Sequence, residues 1–276
     1  MNKWRKYFQP HRYLQWLKNK RRYFEIGLKK PLILTSSALG EKISFGIVSR
    51  KEYSIRYMQS YSRELTTMYW IENCVKQDDI VWDIGANVGA YTLLLGKRMR
   101  SRGGGGSIFA FEPESSNFYS LNRNIQLNQL SDIVTSVPLA FSRQFKLGEF
   151  FLSSNEPGSA THGLNTPESE GIEFLPTHRQ GVLSMSVDQF VEMENAYFPN
   201  HIKLDVDGLE GEIIDSMSKT LSDTRLHSIV IEIATELSNG TIENKIIEAG
   251  FELSMEEQWD SKAGVIKNIL FERLKD

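Results

Sequence analysis

The chain has 276 residues, 40% of them hydrophobic and 24% charged, with a formal net charge of -3 and a single cysteine, Cys74. That size suits one α/β domain with decorations. A lone cysteine excludes an internal disulfide, argues against a structural zinc cluster and agrees with a reducing, cytoplasmic compartment. No apolar run nears the ~20 residues of a membrane-spanning helix, and the first residues lack the apolar stretch and cleavage site of a secretory signal.

The charge is unevenly placed. Residues 1–30 hold ten Lys or Arg against one acid, Glu25, so they carry +9 while residues 31–276 carry -12. Aromatic residues interleave with this charge: Trp4, Tyr7, Phe8, Tyr13, Trp16, Tyr23 and Phe24. After Pro10, the spacing of Tyr13, Leu14, Trp16 and Leu17 is helical, with Lys18, Lys20, Arg21 and Arg22 following. Three roles fit such an N-terminal arm. It can dock on the acidic body or on a second copy in a homo-oligomer. It can make peripheral contact with an anionic membrane or glycolipid at the inner membrane face. It can also cradle nucleic acid, the least favoured of the three.

Residues 31–77 predict one or two strands over 32–48, with a turn at Gly40-Glu41, and then a helix over 62–77. Leu65, Met68, Ile71 and Val75 form the expected buried stripe of that helix, with Ser62 as its cap. Cys74 falls in the same helix and reads as a buried structural residue. Strands are then expected at 80–84, 108–112 and 133–138, with helices over 90–99 and 115–128 between them. Further strands at 202–206 and 228–233 alternate with helices from Glu210 and over 242–249. Continuous apolar strands alternating with amphipathic helices predict a parallel sheet covered on both faces. Residues 251–254 and 268–274 lack a helix between them and predict an antiparallel hairpin at the sheet edge. The alternation breaks over 139–200, which reads as an insertion of hairpins and loops on the substrate side.

In the first βα unit a strand ends in Asp83, followed by Gly85, Asn87 and Gly89. A ligand lying across the carboxyl end of a parallel sheet approaches this backbone closely, and glycines at 85 and 89 admit it. The next strand ends in Glu112-Pro113, where a carboxylate can accept hydrogen bonds from both ribose hydroxyls of a nucleoside. A dinucleotide fingerprint needs glycine at 87, and the chain has Asn87. A methyl donor needs no pyrophosphate cradle, and Asp83 suits its cationic groups. Ala140, with Leu139, is placed beside the adenine.

These residues resemble the FkbM-type family of S-adenosylmethionine-dependent methyltransferases. The matching pieces are DIGANVGAYT at 83–92, FEPESSNFYSLNRNIQLN at 111–128, SVDQF at 186–190, IKLDVDGLEGEII at 202–214 and VIEI at 230–233. The resemblance spans roughly residues 60–235 and leaves out the first thirty; Gly103–Gly106 departs from it. It implies a Rossmann-like seven-stranded methyltransferase fold, strand order 3-2-1-4-5-7-6, mostly parallel with the last strand antiparallel. It also implies O-methylation of a hydroxyl on a sugar, glycan or glycolipid, or natural product, with S-adenosyl-L-methionine as cofactor.

An alcohol needs help to lose its proton. Asp205 and Asp207, at the end of the fourth strand, are expected to point the same way by strand alternation. Either can act as the general base, with Asp205 also beside the cofactor. Asp205, Asp207 and Glu210 can alternatively hold a divalent cation, a reading that is not favoured. His162, in the loop EPGSATHGLN, is the third candidate for catalysis. Asn155 and Ser159 are candidates for acceptor hydroxyls, and Glu232 either faces the acceptor or accepts a structural hydrogen bond. The main rival is an RNA methyltransferase using the basic arm, against which the absence of an N/D-P-P-Y/F tetrapeptide counts. A nicotinamide oxidoreductase is disfavoured by Asn87. An interaction protein with a relic cofactor fold is the third alternative.

Overall fold

The computed structural model describes residues 18, 31–193, 197–262 and 264–274. Apart from Lys18, the basic arm lies outside the described residues.

Leu32–Ala38 (β1) and Glu41–Ile47 (β2) form an antiparallel hairpin. Its turn falls at Leu39-Gly40, one residue earlier than expected, where both residues take positive φ. That is the turn chemistry whose twist matches a two-residue hairpin. A π-helical segment, Glu52–Tyr57, follows. The single helix expected over 62–77 is instead two, Ser60–Arg63 (α1) and Leu65–Asn73 (α2), separated by Glu64 at φ -107°, ψ 77°. Ser62 lies inside α1 and is not a cap; its hydroxyl donates to the Gln59 carbonyl. The buried face of α2 is Thr66, Thr67, Trp70 and Ile71, while Leu65 is 57% exposed. A tertiary contact sets this rotation: the Trp70 indole N–H donates to Ser228 Oγ at 2.8 Å. Cys74 sits at the helix end, half-buried, and burial together with Glu272 pushes its thiol up to about 12, which leaves it unreactive.

Then come Ile80–Ile84 (β3), Ala90–Ser101 (α3), Ser107–Phe111 (β4), Ser115–Leu127 (α4) and Val134–Val137 (β5). Glu114 caps α4 by accepting from the backbone N–H groups of Ser116 and Asn117. The insertion begins with the short strand Ala140–Phe141 (β6), Lys146–Leu152 (β7) and Gly163–Leu164 (β8). Glu168–Ser169 (β9) and Ile172–Glu173 (β10) make a small hairpin, and His178–Met185 (β11) closes the insertion. Strands β6, β11, β7 and β8 form a separate four-stranded sheet in that order. After Val187–Glu192 (α5), with its Ser186–Gln189 capping box, the alternation resumes. It runs through His201–Leu204 (β12), Glu210–Asp215 (α6), Ser218–Ser222 (α7), Ser228–Ala234 (β13), Thr235–Ser238 (α8) and Thr241–Glu248 (α9). Phe251–Ser261 (β14) and Gly264–Arg273 (β15) end the chain and are longer than the expected 251–254 and 268–274.

The main sheet has seven strands in the order β14-β15-β13-β12-β3-β4-β5. Read in chain order of its own strands, this is 3-2-1-4-5-7-6, with β15 antiparallel to both neighbours and the pairs from β13 to β5 parallel. It is the Rossmann-like methyltransferase topology that the resemblance implied. Alternation divides the strand side chains between two cores. Val81 and Ile108 face Trp70, Leu94, Leu121 and the β2 residues Ile43 and Phe45. Trp82 and Phe111 face the other way, against Phe141, Val187 and Ile213. Trp82 stacks on Phe141 at 6.0 Å and meets Phe111 edge-on at 5.3 Å. This aromatic wall runs up to the carboxyl edge of the sheet and roofs one side of the site. No helix among the described residues is long and apolar enough to cross a membrane.

Candidate functional site

The carboxyl ends of β3, β4 and β12 open into a cleft. Its lining includes Gly85, Asn87, Glu112, Pro113, Ala140 and Asp205, all expected at the site, together with Phe141, Phe150, His162 and Asp207. A smaller recess next to it is lined by Asp83, Asn87, Tyr91, Lys203, Asp205 and Arg56. Parallel strands at a topological switch point leave this kind of crevice.

Gly85 lines both the cleft and the recess and Gly89 lines neither, and both glycines also meet a packing constraint. A Cβ on Gly85 (φ 87°) would lie 1.7 Å from the Asp205 carbonyl oxygen, and one on Gly89 (φ 92°) would lie 2.7 Å from Leu121 Cδ1. They let the strand ends and α4 pack closely, and they take a left-handed backbone that L side chains resist. Asn87 also takes a positive φ, 51°, which asparagine tolerates because its side chain bonds locally. Its Oδ1 accepts from Val88 N–H, and its Nδ2 donates to the Ser159 carbonyl at 2.7 Å. Asn117 donates to the same carbonyl at 3.1 Å. The loop over the cleft is therefore tethered to the turn after β3 and to α4. Ser159 takes part through its carbonyl. Its hydroxyl donates to the Glu156 carbonyl, so it is committed within the loop rather than offered to an acceptor.

Glu112 is buried, and its two oxygens accept from the backbone N–H groups of Asn87 and Glu114, each at 2.8 Å. Burial still dominates and pushes its carboxyl up to about 8. Asp83 is 1% exposed. Its Oδ2 accepts from the Thr92 hydroxyl, and its Oδ1 has no hydrogen-bond partner among the described residues. Burial raises its pKa as well. A buried carboxylate oxygen without a partner is costly unless something polar meets it.

Lys203 is buried and pairs with Asp205 at 2.7 Å. Sequence reasoning missed it, although a lone lysine in the otherwise apolar strand HIKL was a readable signal of a charged partner. Burial opposes the charge of both. The Lys203 ammonium nevertheless holds Asp205 below the usual carboxylate range, and Asp205, Glu64 and Asp83 together raise Lys203. Ligand atoms of Glu64, Asp205 and Glu232 lie within 4.8 Å of one another, and burial raises Glu232 well above its ordinary value, with Asp205 adding to the effect. Glu64 and Arg56 carry no local sequence signal; the π-helical segment and the break before α2 bring them in.

The strand does not continue through Asp207, so the expected alternation of Asp205 and Asp207 fails. Strand β12 stops at Leu204, and Asp207 takes φ 59° in the turn beyond. Its Oδ2 accepts from Thr161 N–H at 2.9 Å. Burial, and then Asp205, push its carboxyl up to about 6. Glu210 is buried and turned back onto the chain, accepting from the N–H groups of Val206 and Gly208. It closes the turn, and the carboxylate trio with Asp205 is built from Glu64 and Glu232 instead. His162 is buried, not a surface residue, at 6% exposure. Its Nδ1 accepts from Ser153 N–H at 3.3 Å, and its Nε2 has no partner among the described residues. Burial, with Lys51 and Arg56, lowers it to about 4. It is therefore neutral near pH 7, and the accepting Nδ1 puts the proton on Nε2.

Fold and cleft together define a doubly wound α/β protein with an open crevice at the switch point of its sheet. The model of the methyltransferase FkbM domain matches residues 83–253, more than half of the chain, and the chain belongs to that family. It is similar to the hexuronic acid methyltransferase AglP of Haloferax volcanii, 28% identical over 161 residues, which are 57% of each chain. The chain thus spans a little over half the length of that curated relative. Among solved structures it is similar to methyltransferase FkbM from Methylobacillus flagellatus KT, at 12% identity and TM-score 0.46, over 71% of this chain and 44% of that one. It is also similar to the putative transferase PH0793 from Pyrococcus horikoshii, at 14% identity and TM-score 0.48, over 93% and 82%.

Proposed function

We propose that this chain is an S-adenosylmethionine-dependent O-methyltransferase acting on a hydroxyl of a sugar, glycan, glycolipid or natural product. The observation that carries this reading is Asp83 Oδ1, buried without a partner among the described residues in the recess beside the cleft that Glu112 lines. A methionyl ammonium satisfies the first carboxylate, and ribose hydroxyls satisfy the second. Arg56, in the same recess as Asp83, suits the methionyl carboxylate. Pro113, Ala140 and Phe141 give the adenine an apolar slot. When bound, S-adenosylmethionine supplies an electrophilic methyl group on a cationic sulfur.

The chain's own residues then divide the work. Asp205, held ionised by Lys203, sets a negative field beside the cofactor cleft. Asp207 belongs to the cleft and also to the neighbouring groove, and with a pKa of about 6 it is ionised at neutral pH. It takes the proton leaving the acceptor hydroxyl, in the pKa range where general bases work best. His162 contributes Nε2–H as a donor to the acceptor and not as a base. Holding acceptor and methyl group in line is the larger part of the catalysis. A divalent cation at Glu64, Asp205 and Glu232 would compete with the Lys203 ammonium already paired there.

Two measurements test the reading. S-adenosylhomocysteine should raise the melting temperature and NAD should not; the reverse refutes it. Mass spectrometry of native polysaccharide, glycolipid and metabolite pools, with and without the gene, should find one lost methyl group. For the basic arm we propose peripheral contact with anionic lipid. Removing residues 1–30 should lower partitioning onto anionic vesicles, and unchanged partitioning refutes it.

A further inference from the structure

A second cavity shares His162, Asp207 and Leu209 with the cofactor cleft. It holds about 320 Å³, at the small end of the roughly 300–1,000 Å³ of small-ligand sites. Residues 164–171 and 207–212 form its walls, and Ile233, Leu237 and Ile242 give it an apolar side.

Five acids line this groove, Glu168, Glu170, Asp207, Glu210 and Glu212, and its described lining contains no lysine or arginine. Glu210 is committed to backbone N–H groups. Glu212 has an exposed partner, Arg143, at 3.7 Å. Glu168, Glu170 and Asp207 have no paired cation among the described residues. Glu170 stands on the tip of the β9–β10 hairpin, and its N–H donates to the Asp207 carbonyl at 3.1 Å. Burial, with Asp207 and Asp205, pushes its carboxyl up to about 7. Glu170 therefore feels Asp207 and Asp205 across the groove, and an added anion would meet the same repulsion. His162 is the independent observation that a ligand belongs here. It is buried, it lines both cavities, and its Nε2 has no partner among the described residues. A single neutral donor suits a hydroxyl or ring oxygen and does not offset three carboxylates.

We infer that the groove takes an amine-bearing hydroxyl acceptor of the amino-sugar class and excludes a uronate. This rests on the methyltransferase reading of the adjoining cleft. An ammonium relieves the repulsion between Glu170 and its neighbours, hydroxyls bond to Asp207 and His162, and the ring's C–H face meets the apolar side.

The test is calorimetry on the full chain at about pH 7.5 and low salt, with and without saturating S-adenosylhomocysteine. The probes are methyl glucosaminide, methyl glucoside and methyl glucuronide. The expected result is that the glucosaminide binds at least about tenfold tighter than the glucuronide, with the glucoside between them. Glu170→Gln should narrow that ratio about threefold while S-adenosylhomocysteine still raises the melting temperature. A ratio below about tenfold, no glucosaminide binding, or a ratio unchanged in Glu170→Gln overturns the inference. Failure of S-adenosylhomocysteine to bind sinks the methyltransferase reading instead, and the ratio on the free protein is read separately.

Discussion

Lys203→Met removes the one cation in the lining of the inner recess that is paired with Asp205, and its cost can be worked from the geometry. The ammonium lies 2.7 Å from Asp205 Oδ2 and 5.2 Å from the centre of the Tyr91 ring. Coulomb's law at that separation, with an effective dielectric of about 20, gives about 6 kcal/mol. Desolvation of the pair offsets part of this, and breaking a buried pair typically costs about 3–5 kcal/mol. That range is the expected loss of unfolding free energy at about pH 8. The pH dependence is the sharper check. In the native protein Asp205 is held below its unfolded pKa, so its contribution is complete above that value and constant from about pH 6 to 8. Without Lys203, burial outweighs the remaining field of Arg56 and raises the folded pKa of Asp205. The folded variant then binds an extra proton, and its stability falls as pH rises towards the raised value. The difference between variant and native protein should therefore shrink by roughly 2–3 kcal/mol on going from about pH 8 to 6, at about 1.4 kcal/mol per unit per proton. Glu112 owes nothing to Lys203 or Asp205 and titrates alike in both proteins, whereas Glu64, Asp83 and Glu232 lose the same lowering cation and add to the pH dependence of the difference. Urea unfolding followed by tryptophan fluorescence at both pH values measures it. A difference under about 1 kcal/mol at pH 8, or the same difference at both pH values, refutes the charge arrangement.

Three further substitutions probe the site. Asp207→Asn should lower kcat about 10²–10⁴-fold with little change in S-adenosylhomocysteine affinity, and the native enzyme's kcat should fall below about pH 6, where Asp207 takes up a proton; steady-state kinetics across pH decide both. Glu112 should bind ribose hydroxyls as the carboxylate, so S-adenosylhomocysteine affinity should rise with pH and level off near about 8. Glu112→Gln should weaken binding about tenfold or more and flatten that slope in calorimetry. Gly85→Ala places a Cβ 1.7 Å from the Asp205 carbonyl oxygen and should leave little soluble protein, whereas Gly40→Ala, with nothing near its Cβ, should cost about 1–2 kcal/mol of backbone strain; parallel thermal melts separate the two.

What could be read from the chain alone was whatever depends on neighbours in sequence. Buried parallel strands are unbroken apolar runs, so β3, β4, β12 and β13 were placed within a residue or two. The turn after β3 declares itself through Gly85, Asn87 and Gly89, because positive φ restricts which residues can stand there. Glu112 follows from the same logic one strand later. The rest depends on groups far apart in sequence. Rotation of α2 is set by Trp70 reaching Ser228, which leaves Ile71 and Val75 buried as their spacing expects but turns Leu65 outward. Asp205 was legible as a strand-end acid, but its ionisation is decided by Lys203 beside it and by the burial both share. Asp207 was expected to follow strand alternation, yet a left-handed turn aims it into the junction of cleft and groove. His162 was visible as a loop histidine, but only folding shows it buried and neutral, with Nδ1 accepting and Nε2 without a partner among the described residues. Local periodicity and turn chemistry fix where the strands end, because they act over a few residues. Charge states and unpaired atoms come from packing, because electrostatics in a buried site sums over every group that the fold brings within a few ångströms.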